Sequence, residues 1–110
     1  MNRESIQDKL QKVRLSYIAT LEEKKNNITR HWELLNKDWQ SESYDNMYMV
    51  IHGIAGSAET FGFPELTQTA REVIDYLKKH QQDLPGPDYI KTLDSKICEL
   101  TALMTAISKS

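Results

Sequence analysis

Three histidines and one cysteine are the side chains of this 110-residue sequence best suited to nucleophilic or metal chemistry, and they are not equivalent. His31 sits beside Trp32 in an apolar-periodic stretch. His80 follows Lys78 and Lys79 near a helix end, where a cation favours the negative pole of the helix dipole. Both read as structural or solvated. His52 differs. Met47, Ile51, Ile54 and Ala58 recur around it at helical spacing. At about 100° per residue its imidazole lies roughly 130° from the centre of that stripe and faces outward. One turn further on lie Ala55 and Gly56. A glycine inside a helix costs about 1 kcal/mol relative to alanine, and Gly53 and Gly56 both fall within this otherwise regular helix. Small residues beside an exposed imidazole leave the ring open to something large, such as the catalytic face of another protein. The competing reading is that the glycines permit close helix packing. Tyr48, Ala55, Gly56 and Glu59 share this face and form a candidate docking surface.

The standard catalytic signatures are absent: there is no glycine-rich phosphate loop ending in Lys and Ser or Thr, no G-x-S-x-G elbow and no H-E-x-x-H pair. A di-metal helical bundle needs Glu-x-x-His on facing helices, but Ile28, Met49 and Leu77 stand three residues before the histidines. No metal site is expected. Cys98 is the single cysteine. It excludes an internal disulfide and a multi-cysteine zinc site, fits a reducing compartment, and reads as a small buried apolar residue.

Residue balance narrows the classes further. Fourteen basic and sixteen acidic residues give a net charge of −2, without the basic excess that phosphate-backbone binding requires, so nucleic acid is not an expected partner. Mean hydropathy is −0.60, and the longest apolar run, Met47 to Ile51, is far shorter than the roughly 18 residues of a spanning helix. Asn2 to Ser5 cannot open a signal-peptide apolar region. A cytoplasmic protein without a membrane partner is expected, folded as one domain over residues 1–110.

The elements that must hold these residues follow from where the helix breakers fall. All four glycines and all three prolines lie between Gly53 and Pro87, leaving both flanks free of strong breakers. Residues 4–36 read as helical, with Ile6, Leu10, Val13, Tyr17, Leu21, Ile28, Trp32 and Leu35 on one stripe. Ser5 with Asp8 resembles a capping box. The polar stretch 22–27 is either a solvated middle turn or a break into two helices. After a polar connection from Asn36 to Ser43, in which Ser41 or Ser43 can cap, a second helix carries Met47, Ile51, Ile54, Ala58 and Phe61. Gly62 suits the left-handed position that ends it, and Pro64 suits the first turn of the third helix. That helix carries Leu66, Ala70, Val73 and Leu77. Leu84 to Pro87 forces another turn, and the last helix carries Tyr89, Leu93, Ile97, Leu100, Met104 and Ile107. Four single-striped helices with short connections hide their stripes together as an all-α, up-down-up-down four-helix bundle. In a hairpin turning at Gly62, the height of His52 is matched about ten residues beyond the turn, which brings Arg71, Ile74 and Lys78 near the imidazole.

The segment His52-Gly53-Ile54-Ala55-Gly56-Ser57-Ala58, continuing through Gly62 to Leu66, resembles the signature of histidine-containing phosphotransfer (HPt) domains: His, an apolar residue two on, Gly-Ser-Ala from four on, then Gly-x-x-x-Leu. The resemblance implies a four-helix bundle in which His52 accepts and donates a phosphoryl group in exchange with aspartyl-phosphate receiver domains of two-component signalling. It implies a carrier without autonomous catalytic activity or cofactor of its own, with Mg²⁺ on the receiver partner. Gly56 would clear space for the docking receiver, with Tyr48, Ala55, Glu59 and Ile74 around it. Members commonly carry Lys three residues after the histidine, where this chain has Ala55, and a polar residue twenty-two positions after it, where this chain has Ile74. Lys78, aided by Arg71, is then the candidate to hold the phosphoryl oxygens. The partner expected is the receiver domain of a response regulator or hybrid histidine kinase, engaged by a monomer.

Two other readings need no phosphoryl chemistry. One is a helical docking module with His52 inert. The other is a dimerisation bundle, suggested by a first helical segment of about 33 residues that spans roughly 50 Å, against roughly 30 Å for segments of about 20 residues.

Overall fold

A computed structural model describes residues 5–79 and 85–109, so the readings that fall on His80 and Leu84 lie outside the described residues. Among the described residues the regular structure is four helices: α1 (Ile6–Lys37), α2 (Ser41–Ser57), α3 (Pro64–Leu77) and α4 (Pro87–Lys109). Each helix packs against the two that adjoin it around a square, α1 on α2 and α4, α3 on α2 and α4. Cross-helix hydrogen bonds show that neighbours run antiparallel. Along α1 and α4, Lys25 Nζ donates to Thr105 Oγ1 (3.2 Å) and Trp32 Nε1 to Asp94 Oδ1 (2.7 Å), so rising numbers meet falling ones. The α2–α3 pair repeats the pattern, with Glu59 N donating to Thr67 Oγ1 (2.8 Å) and Tyr44 Oη to the Leu77 carbonyl (2.7 Å). The up-down-up-down bundle is therefore the observed fold.

The predicted stripes build the core. Leu21, Ile28 and Leu35 of α1, Met47, Ile51 and Ile54 of α2, Leu66, Val73 and Leu77 of α3, and Leu93, Leu100 and Met104 of α4 are all fully buried. Each such side chain contributes about 1.5–3 kcal/mol of transfer free energy. His31 is buried among them at 8% exposure, in keeping with a structural role.

Helix α1 runs unbroken, so stretch 22–27 is a solvated middle turn. Its Glu and Lys residues are good helix formers, and Lys25 pairs with Glu22 at 3.1 Å. Its start is fixed by the expected capping box, in which Asp8 N donates to Ser5 Oγ (3.1 Å) and Ser5 N to Asp8 Oδ2 (3.4 Å). The stripe's first three members are not core, however. Ile6, Leu10 and Val13 are 78%, 62% and 47% exposed, at the end of α1 beside the α2–α3 turn, whose Phe61 and Gly62 cover Leu10 and Val13 only in part.

Three further expectations are corrected. The N-cap of α2 is Gln40, with no side-chain capping bond, and Ser41 is already helical; neither Ser41 nor Ser43 caps. Helix α2 ends at Ser57 instead of running to Phe61, because the chain turns at Ala58, whose carbonyl accepts from Phe61 N (3.1 Å) and Phe63 N (2.9 Å). Ala58 still closes the core. Gly62 takes the left-handed conformation, φ 94°, as predicted, and a Cβ there would lie 2.9 Å from Arg14 Nη2. Finally, Cys98 is exposed, since it stands one step off the Ile97 and Leu100 stripe of α4.

Candidate functional site

The side chains singled out around His52 lie on the outer side of α2 where it borders α3. His52 is exposed, as its angle from the core stripe requires, and Gly53 and Gly56 are exposed beside it. A Cβ added to Gly53 or Gly56 would meet nothing within 4 Å. The glycines therefore do not serve packing between these helices, and their helix-propensity cost is not offset inside the fold. What they leave is a flat, accessible surface around the imidazole. Ala55 and Tyr48 are half-buried at its α3 edge, and Glu59 is exposed at its end. Met49, three residues before His52 and 72% exposed, belongs to the same surface. Sequence reading passed over it as one of a short apolar run, although the three-residue spacing to His52 was available.

Ile74 does not belong to that surface. At 5% exposure it is a core residue, because its stripe on α3 turns in between Val73 and Leu77. It offers neither a docking contact nor a hydrogen bond to the imidazole. Among the described residues no hydrogen bond reaches the His52 ring. Its neighbour is Tyr48, stacked at 5.9 Å between ring centroids and 17° between planes.

The two cross-helix bonds also set the heights of the candidate cations. Glu59 is level with Thr67 and Tyr44 with Leu77, so His52, between them on α2, is level with the middle of α3, where Arg71 stands. Thr67, Arg71, Ile74 and Lys78 follow at helical spacing along the α2-facing edge, and Arg71 and Lys78 are exposed. Lys78 stands beyond Leu77, level with Tyr44 and thus about two helical turns, roughly 12 Å, from the imidazole's height. By height along the helix pair, Arg71 lies nearer the imidazole than Lys78 does.

On the α1 side, Tyr17 and Ser57 share a hydrogen bond (3.1 Å), and Ser57 Oγ donates to the Gly53 carbonyl (2.7 Å), tying the end of α2 to α1. Burial raises the Tyr17 phenol above its ordinary pKa, and the bond to Ser57 offsets part of that rise. The Lys24 ammonium lies over the Tyr17 ring at 4.6 Å, its pKa lowered by burial. Among the described residues no group of three His, Cys, Asp or Glu side chains is arranged to hold a metal ion, and no helix is long and apolar enough to cross a membrane.

The surface thus combines an exposed imidazole on a helix, open space where side chains would stand, and exposed cations on the neighbouring helix. The family model described as the Hpt domain matches residues 12–110, which contain all four helices' core segments and His52. No curated protein and no solved structure matches the chain. With nearly its whole length matched, this chain belongs to the Hpt domain family.

Proposed function

We propose that His52 is the phosphoacceptor of this domain and that it exchanges a phosphoryl group with the aspartyl phosphate of a receiver domain. Hpt domains are histidine phosphotransfer modules of two-component signalling, carriers more than catalysts. The observation that supports the assignment here is the open ground around His52: an exposed imidazole flanked by two glycines whose missing Cβ atoms face empty space. A receiver must bring its own Mg²⁺ and acidic residues to the phosphorus, and it can do so only across a surface without protruding side chains.

In the step itself a neutral imidazole nitrogen attacks phosphorus in line. The N–P bond forms as the bond from phosphorus to the aspartyl oxygen breaks, and that electron pair returns to the receiver's carboxylate. The ring's N–H proton then leaves to solvent. Reversal hands the group to a second receiver. Positioning and charge neutralisation supply most of the rate in such transfers. The shared height of His52 and Arg71 supports Arg71 as the group that draws the phosphoryl oxygens across the α2–α3 groove, in place of the lysine that Ala55 does not provide. Met49, Gly56 and Glu59 form the docking rim, one domain spans residues 1–110, and the setting is the cytoplasm, where receivers act. Incubation with a panel of phosphorylated receiver domains from the source organism should label this chain in an acid-labile, base-stable linkage, and a chain that none of them labels would count against the assignment.

A second reading, self-association, is favoured by a separate observation. Leu10 and Val13 line a groove of about 610 Å³ with Arg14, Phe61 and Gly62, at the end of α1 beside the α2–α3 turn. Solution mass over a concentration series tests it.

A further inference from the structure

Among the described residues no hydrogen bond holds the imidazole, and Ala55 one turn along α2 and the buried Ile74 of α3 carry apolar side chains that offer none. A histidine on a helix surface has staggered wells at its first torsion but a broad, two-fold second torsion. Left alone, its ring plane swings, and the nucleophilic nitrogen points toward an approaching phosphorus only part of the time.

A run of aromatic side chains lies along α2 and ends on that ring. Trp39 contacts Tyr44 at 6.2 Å between centroids, Tyr44 stacks on Tyr48 at 6.1 Å and 22°, and Tyr48 stacks on His52 at 5.9 Å and 17°. The spacing 44, 48, 52 is one helical turn per step, which brings successive rings onto each other. The far end of the run is fixed. Tyr44 is buried and its hydroxyl donates to the Leu77 carbonyl at 2.7 Å, locking the phenol to α3. Burial, with smaller contributions from Tyr48 and Asp45, pushes that phenol's pKa up to about 12, so it remains a donor throughout the neutral range. Tyr48 is thus held from behind by an anchored ring and lies nearly parallel to the imidazole in an offset stack, while Gly53 and Gly56 leave the other side open.

We propose that Tyr48 is a positioning residue for phosphoryl transfer, setting the plane of the His52 ring by stacking where hydrogen bonds are missing. The role rests on His52 being the phosphoacceptor. It differs from a docking role, because stacking acts on the ring before any partner arrives and therefore on the maximal rate more than on affinity.

The experiment uses the full chain with three side chains at position 48, Tyr, Phe and Leu, each checked for an unchanged melting midpoint. Two quantities are read: the ring-proton NMR shifts of His52, with His31 and His80 as internal references, and the rate of transfer from a phosphorylated receiver domain at subsaturating and saturating concentration. Tyr48→Leu should remove the ring-current shift from His52 and lower the saturating rate about fivefold, with the half-saturating concentration within twofold of wild type. Tyr48→Phe should keep the shift and at least half of the rate, since the ring remains and only the hydroxyl is gone. A His52 shift insensitive to Tyr48→Leu, or a loss confined to the half-saturating concentration, overturns the positioning role. If no receiver phosphorylates wild type although the ring-current shift is present, the phosphoacceptor reading fails, and the positioning role fails with it.

Discussion

Met47, Ile51 and Ile54 on one side of α2 have no exposed surface, while His52, Gly53 and Gly56, one or two residues along the same helix, face solvent. The two sides are made to different rules. On the inner side the partner is already present, so volume and shape decide and any change is paid in stability. On the outer side the proposed partner comes and goes. There the helix keeps two of its poorest formers, accepts their cost, and leaves a bare surface. A substitution should therefore move either stability or transfer, and which one it moves tells to which side of α2 a residue belongs.

The largest separation is expected at His52. His52→Gln should abolish labelling by any phosphorylated receiver while changing stability by less than about 0.5 kcal/mol, the usual range for an exposed site. Labelling that persists in this variant, or that is lost only on replacing His31 or His80, would break the comparison at its centre. Ile54→Ala, two residues away on the inner side, should do the reverse. Removing a fully buried Ile costs about 2–5 kcal/mol, read as a lowered melting midpoint, while the protein that remains folded transfers at an unchanged saturating rate.

Gly56→Gln sharpens the comparison because its two effects should carry opposite signs. Glutamine is the better helix former by up to about 1 kcal/mol, and no neighbour opposes the new side chain, so the melting midpoint should rise slightly. The same side chain stands in the receiver's path, and affinity should fall about tenfold, an interface loss of a little over 1 kcal/mol. A destabilised Gly56→Gln would make Gly56 an inner-side residue in spite of its exposure.

How much of this was legible in the sequence depended on whether one helix or two had to be known. The outward angle of His52 and the odd glycines are properties of α2 alone, and spacing revealed them. So did the left-handed Gly62 and the capping box of Ser5 and Asp8. The exposed ridge of Ile6, Leu10 and Val13 has the same spacing as the core stripe that it continues, and periodicity names a face without saying whether anything covers it. The end of α2 at Ser57 was missed because Ala58 and Phe61 stay in or beside the core through the turn, which imitates one more helical turn. The register of α2 against α3 was the hardest. It is set by the Glu59–Thr67 and Tyr44–Leu77 hydrogen bonds, and counting outward from Gly62 could not resolve Arg71 from Lys78. The stacking of Tyr48 on His52 was present as a four-residue spacing, but the plane of a ring is not written in spacing.

That register leads to the smallest effect. Both cations are exposed and belong to the edge of α3 that faces the outer side of α2, so neither should matter for stability, and only height distinguishes them. Arg71 is level with His52 and Lys78 about two turns away, well beyond close charge contact, where solvent screening removes most of the attraction. Arg71→Ala should therefore slow transfer about five- to tenfold at saturating receiver, and Lys78→Ala less than twofold. Ala55→Lys placed in the Arg71→Ala background should recover part of the loss, because a lysine one turn after His52 reaches the same oxygens from α2 itself. The check is a rate comparison of wild type, the three single variants and the Arg71→Ala, Ala55→Lys pair with one receiver. If Lys78→Ala costs more than Arg71→Ala, height is not what selects the cation and the long lysine arm reaches down the groove. If the effects of Arg71→Ala and Ala55→Lys simply add on a logarithmic scale, the two positions serve different atoms, and this domain neutralises the phosphoryl charge from the receiver's side alone.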